Sequence, residues 1–552
     1  MLQNSLNMID YKLLFPFFLI QKESPMSDLP CYGRCCSDSS PTPQTATQLE
    51  FSRRSFLAMG GVIMGGLSYT AFQSALMAAD AAAPVAMPPS RKPLIVKPVL
   101  VHDLPQRRPQ TSWRNWGGIE TAEQAAEEVL RIKSELAAVK KRADYPVEFM
   151  DISTVTHINQ MNGNPDMEAC DTILLYGAGH GVNGVENFNK DVVFFQRWRS
   201  GPVYLQYEII IPRYLRQHTD SAALMPRLGY ADVVTDKTTE LDWRFRALCG
   251  LKNTLGSQVV TIGGASAWAQ LPGENVPDKV SKLWGFKYHD VNYDELGKLI
   301  REAKADAKTM ERARKRADAY LKIPGTRLET TNDFFVYNFL LDDLFRVLMQ
   351  KVGTNQITIN SCMGTIMPAS ETTACLALST LQDDGYLAFC ESDFVSNPTG
   401  VLLGNITGKP IFMCNPNFPH DNIMTFAHCS APRKMDGKTY DPVRILTHFE
   451  SDYGAAPHIE IPLGTETTHI VGSFSTQRWV GFKGKVVDVP FRPICRTQID
   501  VRYEFPDMLL ADRMPGFHWM TCYGDYRKEV GYALRRVGIE WDNLDEVPTK
   551  MM

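Results

Sequence analysis

Glu391 and Asp393 are the residues whose types and spacing most invite chemistry. They stand in Cys390-Glu391-Ser392-Asp393, where the apolar run Tyr386–Cys390 stops. Residues two apart on an extended backbone share one face. A strand continuing through them would therefore bring two carboxylates together at its carboxyl end, the edge where open α/β sheets hold ligands. The plain alternative is a polar strand end that caps a helix. The surrounding stretch, Ile357 to Pro432, repeats the pattern. Its apolar runs Ile357–Ile359, Ile411–Cys414 and Met424–Ala427 each stop at polar residues, as buried strands do beside a site. His428 stands at one of these ends, either as a site group or as a buried histidine beside Cys429. Asn415, Asn417 and, farther on, Arg478 are polar groups able to bind hydroxyls.

Several motifs in order resemble the L-fucose/L-arabinose isomerase-like superfamily, in particular its uncharacterised, twin-arginine-exported branch. They are Ile357-Thr358-Ile359-Asn360-Ser361-Cys362, Ala374-Cys375-Leu376-Ala377-Leu378-Ser379, Cys390-Glu391-Ser392-Asp393, Thr407-Gly408-Lys409-Pro410 and Ala427-His428-Cys429. Gly516-Phe517-His518 and Tyr523-Gly524-Asp525-Tyr526 follow, and weaker echoes at Asp171–Tyr176, Arg199–Tyr204 and Leu251–Gly264 extend the likeness upstream. The resemblance implies an aldose–ketose isomerase acting on a small sugar through an enediol, a homo-oligomer (trimer or hexamer), and Mn²⁺ or Mg²⁺ held by two carboxylates and a C-terminal histidine. Motif by motif, Asp393 and His518 correspond to two of those ligands. Glu371, about one strand–helix unit earlier, is the counterpart of the other carboxylate and the proposed proton carrier, with Asp393 the second catalytic group. Glu371 could equally open a helix, where a carboxylate suits the dipole. Glu391, His428, Asn415 and Arg478 are then expected around the ion or against the sugar. Trp519 follows His518 where family members often carry another polar residue, a departure that touches the sugar contacts.

Isomerisation moves a proton between adjacent carbons, which calls for a carboxylate acid or base and for stabilisation of the enediolate. A divalent ion with open positions supplies the second requirement. Two other classes fit the same residues: an exported carbohydrate-binding protein on a non-catalytic isomerase scaffold, and a metal-dependent sugar-acid lyase or hydrolase. No organic cofactor is expected. Gly177-Ala178-Gly179-His180-Gly181-Val182-Asn183-Gly184 follows a strand but lacks the full dinucleotide fingerprint and a ribose acid. A substrate-side loop or a turn is the better reading. Arg197, Arg199, Arg213 and Arg216 read as a solvated face, with a clamp for an anionic sugar as the alternative.

The elements that must position these residues follow from composition and periodicity. A chain of 552 residues exceeds one core, and 44% hydrophobic with 22% charged residues is a globular balance. The net charge of -4 gives no basic footprint for nucleic acid. Of 12 cysteines, Cys31, Cys35 and Cys36 precede the expected mature chain. The rest are odd in number and sit mostly in apolar runs, which favours buried thiols, and no Cys-x-x-Cys pair has a partner for structural zinc. Residues 1–50 read as a disordered or misannotated extension, with Met26 an alternative start. Residues 51–83, with Arg53-Arg54, a Gly-rich apolar run and small residues after it, read as a twin-arginine signal sending the protein to the periplasm through the twin-arginine machinery.

Residues 84–120 are expected to be a linker, 121–350 an α/β region of two subdomains, and 351–545 the isomerase-like domain carrying the metal site. Val147–Ile152, Thr172–Tyr176, Val192–Phe195 and Val259–Ile262 read as strands alternating with helices at Thr121–Arg142, Asp242–Leu255, Tyr293–Tyr320 and Asn332–Lys351, which predicts parallel layers. After Asp441 the short segments Arg444–Glu450, His458–Ile461, His469–Phe474, Lys483–Val489 and Thr497–Phe505 predict a mostly antiparallel sheet or barrel, closed by a helix over Asp525–Val537. The fold class is α/β: N-terminal parallel layers, then an antiparallel C-terminal domain.

Overall fold

The computed structural model describes residues 85–114, 117–204, 210–215, 225, 227–474 and 477–546. The extension, the twin-arginine segment, Arg216 and most of Val203–Ile211, whose apolar residues read as a further strand or buried segment, lie outside the described residues. Among the described residues no helix is long and apolar enough to cross a membrane.

The first sheet is wholly parallel. Its order is Val147–Phe149, Leu94–Val101, Thr172–Gly177, Asp191–Gln196 and Val233–Thr235, with Ser153–Val155 also paired to Leu94–Val101. The strand Leu94–Val101 lies inside the stretch expected to be a linker, which is thereby corrected. Lys97 and Pro98 interrupt its apolar run and disguise it. Pro98 has no N–H to give a ladder, and its neighbouring strand is correspondingly split: Leu94–Val96 pair with Val147–Phe149, and Val99–Val101 with Ser153–Val155. Lys97 is buried because its ammonium is satisfied by Asp151 O (2.7 Å) and Asp166 Oδ2 (2.6 Å). Arg197, expected on a solvated face, is also buried, bonded to Glu128 and Glu135 of the Ala122–Arg142 helix.

The second parallel sheet has the order Leu387–Phe389, Gln356–Ile359, Gln258–Ile262, Lys287–Val291. Chain order reverses between Gln258–Ile262 and Gln356–Ile359, so the loops after these two strands diverge and leave a crevice at their carboxyl ends. The expected long helix over Tyr293–Tyr320 is a pair, Tyr293–Ala305 and Ala307–Leu321, split where Asp306 caps the second by accepting from Thr309 N (2.8 Å).

The C-terminal segments close into a six-stranded antiparallel barrel in the order Glu466–Val471, Trp519–Tyr523, Phe412–Pro416, Ile423–His428, Thr497–Arg502, Arg478–Asp488, the last pairing back with the first. Closure leaves no open edge among the six. Val443–His448 and Tyr453–Ile459 form a separate small sheet with Thr326–Leu328. One continuous apolar core runs from the second sheet through the helix Asn397–Thr407 into the barrel, so the carboxyl edge of the sheet and one end of the barrel are held face to face.

Candidate metal centre

Glu391 follows the strand Leu387–Phe389 at that carboxyl edge. The expected continuation of the strand does not occur. Glu391 (φ 63°) and Ser392 (φ 45°) are both left-handed, a conformation costing of order 1–3 kcal/mol each and concentrated at functional sites. The chain is held there by Ser392 N donating to Thr358 Oγ1 (3.1 Å) and Ser266 N donating to Ser392 O (3.1 Å). Glu391 and Asp393 therefore do not share a strand face. They reach the same imidazole, that of His518, at its two nitrogens.

His518 enters just before the barrel strand Trp519–Tyr523, and His428 ends the strand Ile423–His428. His518 Nδ1 is 2.7 Å from Asp393 Oδ2, while its Nε2 lies 3.2 Å from Glu391 Oε2. The second contact is poorly aligned, and this buried nitrogen has no hydrogen-bond partner. His428 Nε2 is 3.5 Å from Glu391 Oε1, and its Nδ1 meets Ser430 Oγ at 3.1 Å. One ligand atom from each of Glu391, His428 and His518 falls within 4.8 Å of the others. In both histidines Nδ1 is engaged elsewhere and Nε2 faces the shared space.

Electrostatics fit a cation there. Burial alone would raise the Glu391 carboxyl, but the imidazoles of His428 and His518 outweigh it and hold it well below the usual carboxylate range. Burial opposes protonation of His518, yet the Asp393 and Glu391 carboxylates push it up to about 9. A proton on Nε2 thus sits where a divalent ion would bind, and the two compete. One carboxylate and two imidazoles, with an orphaned buried nitrogen among them, fit a first-row transition ion better than Mg²⁺, which prefers oxygen ligands.

The expected ligands are Asp393, His518 and Glu371, with Glu391 an additional ligand or an acid behind them; the converging set is Glu391, His428 and His518. Asp393 is buried, with Oδ1 accepting from Trp268 N (3.0 Å) and Val395 N (3.1 Å), and Oδ2 from Ser396 Oγ (3.3 Å) besides the His518 contact. Its lone pairs are spent orienting the imidazole, as carboxylates behind metal-bound histidines do. Glu371 lies at the C-terminal end of the Cys362–Ser370 helix, roughly 13 Å along the axis from the end nearer the site. Its side chain is 59% exposed and pairs with Lys304 Nζ at 3.1 Å. Asn415 is paired with Ala427, beside His428, and its Oδ1 is buried without a partner. Arg478 is tied to Asp542 (3.3 Å) and to the Arg513 carbonyl (3.3 Å), away from the three ligands.

Trp268 received no role from the sequence. Gly263-Gly264 after a buried strand was the available signal, because such a loop at a sheet's carboxyl edge lies where ligands bind. No protein-family model matches the chain, and no curated protein matches it.

Proposed function

We propose that the protein is a metal-dependent sugar isomerase-like enzyme interconverting an aldose and a ketose, with a divalent transition ion, Mn²⁺ in the first instance, held by Glu391, His428 and His518. The observation that carries the metal reading is the convergence of these three side chains, with the buried His518 Nε2 facing Glu391 but making no well-formed hydrogen bond. The motif resemblance carries the sugar reading. When bound, the ion polarises a carbonyl and its neighbouring hydroxyl. Asp393 fixes the His518 ring and its tautomer, Ser430 does the same for His428, and Asn415 offers an unpaired carbonyl to a hydroxyl. The reading includes twin-arginine export to the periplasm, to be lost on changing Arg53 and Arg54 to Lys, and a homo-oligomeric assembly.

The position of Glu371, paired with Lys304, favours a second reading: a carbohydrate-binding protein whose scaffold holds a metal and sugar without moving a proton. Sugar-acid lyase or hydrolase chemistry would use the same ion and is distinguished by its products. The deciding experiment incubates Mn²⁺-loaded protein with pentoses, hexoses and deoxyhexoses in D₂O and follows the sugars by NMR. Isomer formation, with or without deuterium at C1 or C2, supports the enzyme. Binding with neither isomer nor label across the panel supports the second reading. A melting temperature unmoved by EDTA and by Mn²⁺ sinks the metal site.

A further inference from the structure

Trp268 occupies an unusual position beside the candidate centre. It sits on the loop leaving Gln258–Ile262 at the point where the second sheet reverses its strand order. That loop is stitched to the Glu391–Asp393 turn on both sides: Ser266 N donates to Ser392 O (3.1 Å), Phe394 N donates to Ser266 O (2.9 Å), and Trp268 N donates to Asp393 Oδ1 (3.0 Å). The indole Nε1–H donates to the Glu391 carbonyl at 3.2 Å. Both polar handles of the residue are therefore used to fix the ring against the segment carrying one metal ligand.

Trp268 nevertheless remains 43% exposed, and Phe517 beside it 37%. Trp268 meets Phe517 nearly perpendicular (5.9 Å, 90°) and His518 likewise (6.2 Å, 83°). Those are its aromatic contacts among the described residues, and both involve neighbours on the same short segment. A large apolar ring held rigidly, partly exposed to solvent and in contact with a candidate metal ligand lies outside the apolar core. A ligand at the site can bury its apolar surface, and a rigid aromatic supplies contact area at little entropic cost.

We propose that Trp268 is the platform on which the sugar rests, its indole face covering the C–H face of a ring-form (pyranose) substrate while the sugar's oxygens turn to the site of Glu391, His428 and His518. This inference rests on the sugar reading above and specifies the form of sugar that first binds. An open-chain alditol presents no continuous C–H face, so its affinity depends little on Trp268.

The test measures Mn²⁺ affinity and sugar affinity separately by titration calorimetry, in wild type, Trp268→Ala and Trp268→Phe, using a pyranose panel and the matching alditols. Trp268→Ala is expected to weaken pyranose binding about tenfold, leave alditol binding within about twofold and change Mn²⁺ affinity no more than Trp268→Phe does, since both lose the same Nε1 bond to Glu391. Trp268→Phe retains a ring but loses the Nε1 bond to Glu391, and is expected to keep most of the pyranose affinity. Three results overturn the platform: Phe as weak as Ala, equal losses for pyranose and alditol, or wild type that binds Mn²⁺ and no pyranose. Wild type that binds no Mn²⁺ but shows the pyranose-selective loss in Trp268→Ala overturns the metal reading and leaves the platform standing.

Discussion

Asp393 and Glu371, expected alike as metal ligands and catalytic groups, differ sharply in their surroundings. Asp393 touches no shared ligand space but holds His518 Nδ1 at 2.7 Å. Asp393→Asn is therefore expected to lower Mn²⁺ affinity about 10–100-fold without abolishing it, with activity returning at excess Mn²⁺; titration of metal against melting temperature checks this. Loss of all binding at any concentration would instead make Asp393 a ligand. Glu371→Gln removes an exposed pair with Lys304, a contact worth about 0–1 kcal/mol. Sugar turnover and melting temperature are expected to stay close to wild type, and a large fall in rate with unchanged sugar binding would restore it as the proton carrier. Glu391, Asp393 and His428 were legible because they follow apolar runs, whereas His518, which precedes its strand, was legible only through the motif resemblance. Their separate roles were not, because two left-handed residues in succession re-aim Glu391, and nothing in a Glu-Ser-Asp string announces positive φ.

At the scale of the elements, the barrel strands were visible from alternation while their closure was not. Alternation reports which residues face a core, not which strand lies beside which. His469 shows the difference. It was read only as part of a strand, yet it lies inside the barrel, stacked on Phe426 (4.6 Å, 6°) and Phe482 (4.9 Å, 22°), with Nε2 at 2.7 Å from Thr467 Oγ1 and Nδ1 at 2.8 Å from Thr521 Oγ1. Burial pushes its pKa down to about 3. The unfolded chain takes up that proton near pH 6.5 and the folded barrel does not. Stability from neutral His469 is therefore complete above about pH 6.5 and falls as pH drops toward 3, by on the order of 2–3 kcal/mol at pH 4.5. His469→Gln cannot protonate, so its melting temperature, though lower at pH 7, is expected to fall less than wild type between pH 7 and pH 4.5. Parallel losses in both proteins would place the acid sensitivity elsewhere.

Across the whole molecule, the C-terminal helix does more than close the chain. Arg535 and Arg536 stand in the last turn of the helix Arg527–Arg536, where cations suit the negative end of the dipole. Both instead reach Asp232, beside the edge strand Val233–Thr235 of the first sheet, more than three hundred residues earlier. Arg536 also pairs with Asp191 (2.9 Å), and on the same helix Glu529 accepts from Arg246 (2.8 Å). No local pattern encodes such pairings. Asp232 is fully buried and Arg536 nearly so. Removing one partner leaves the other's charge with too few contacts, which in buried pairs costs roughly 3–5 kcal/mol; partial exposure of Asp191 and Arg535 puts the expectation near the lower figure. Asp232→Asn should thus lower the melting temperature and raise amide exchange in both the Arg527–Arg536 helix and the Val233–Thr235 strand. Arg536→Met in the same protein removes the stranded guanidinium, and because the two residues touch, their effects are not additive. The double variant is expected to melt above Asp232→Asn alone. If its loss equals the sum of the two single losses, Asp232 and Arg536 act independently and this pair does not hold the C-terminal helix to the first sheet.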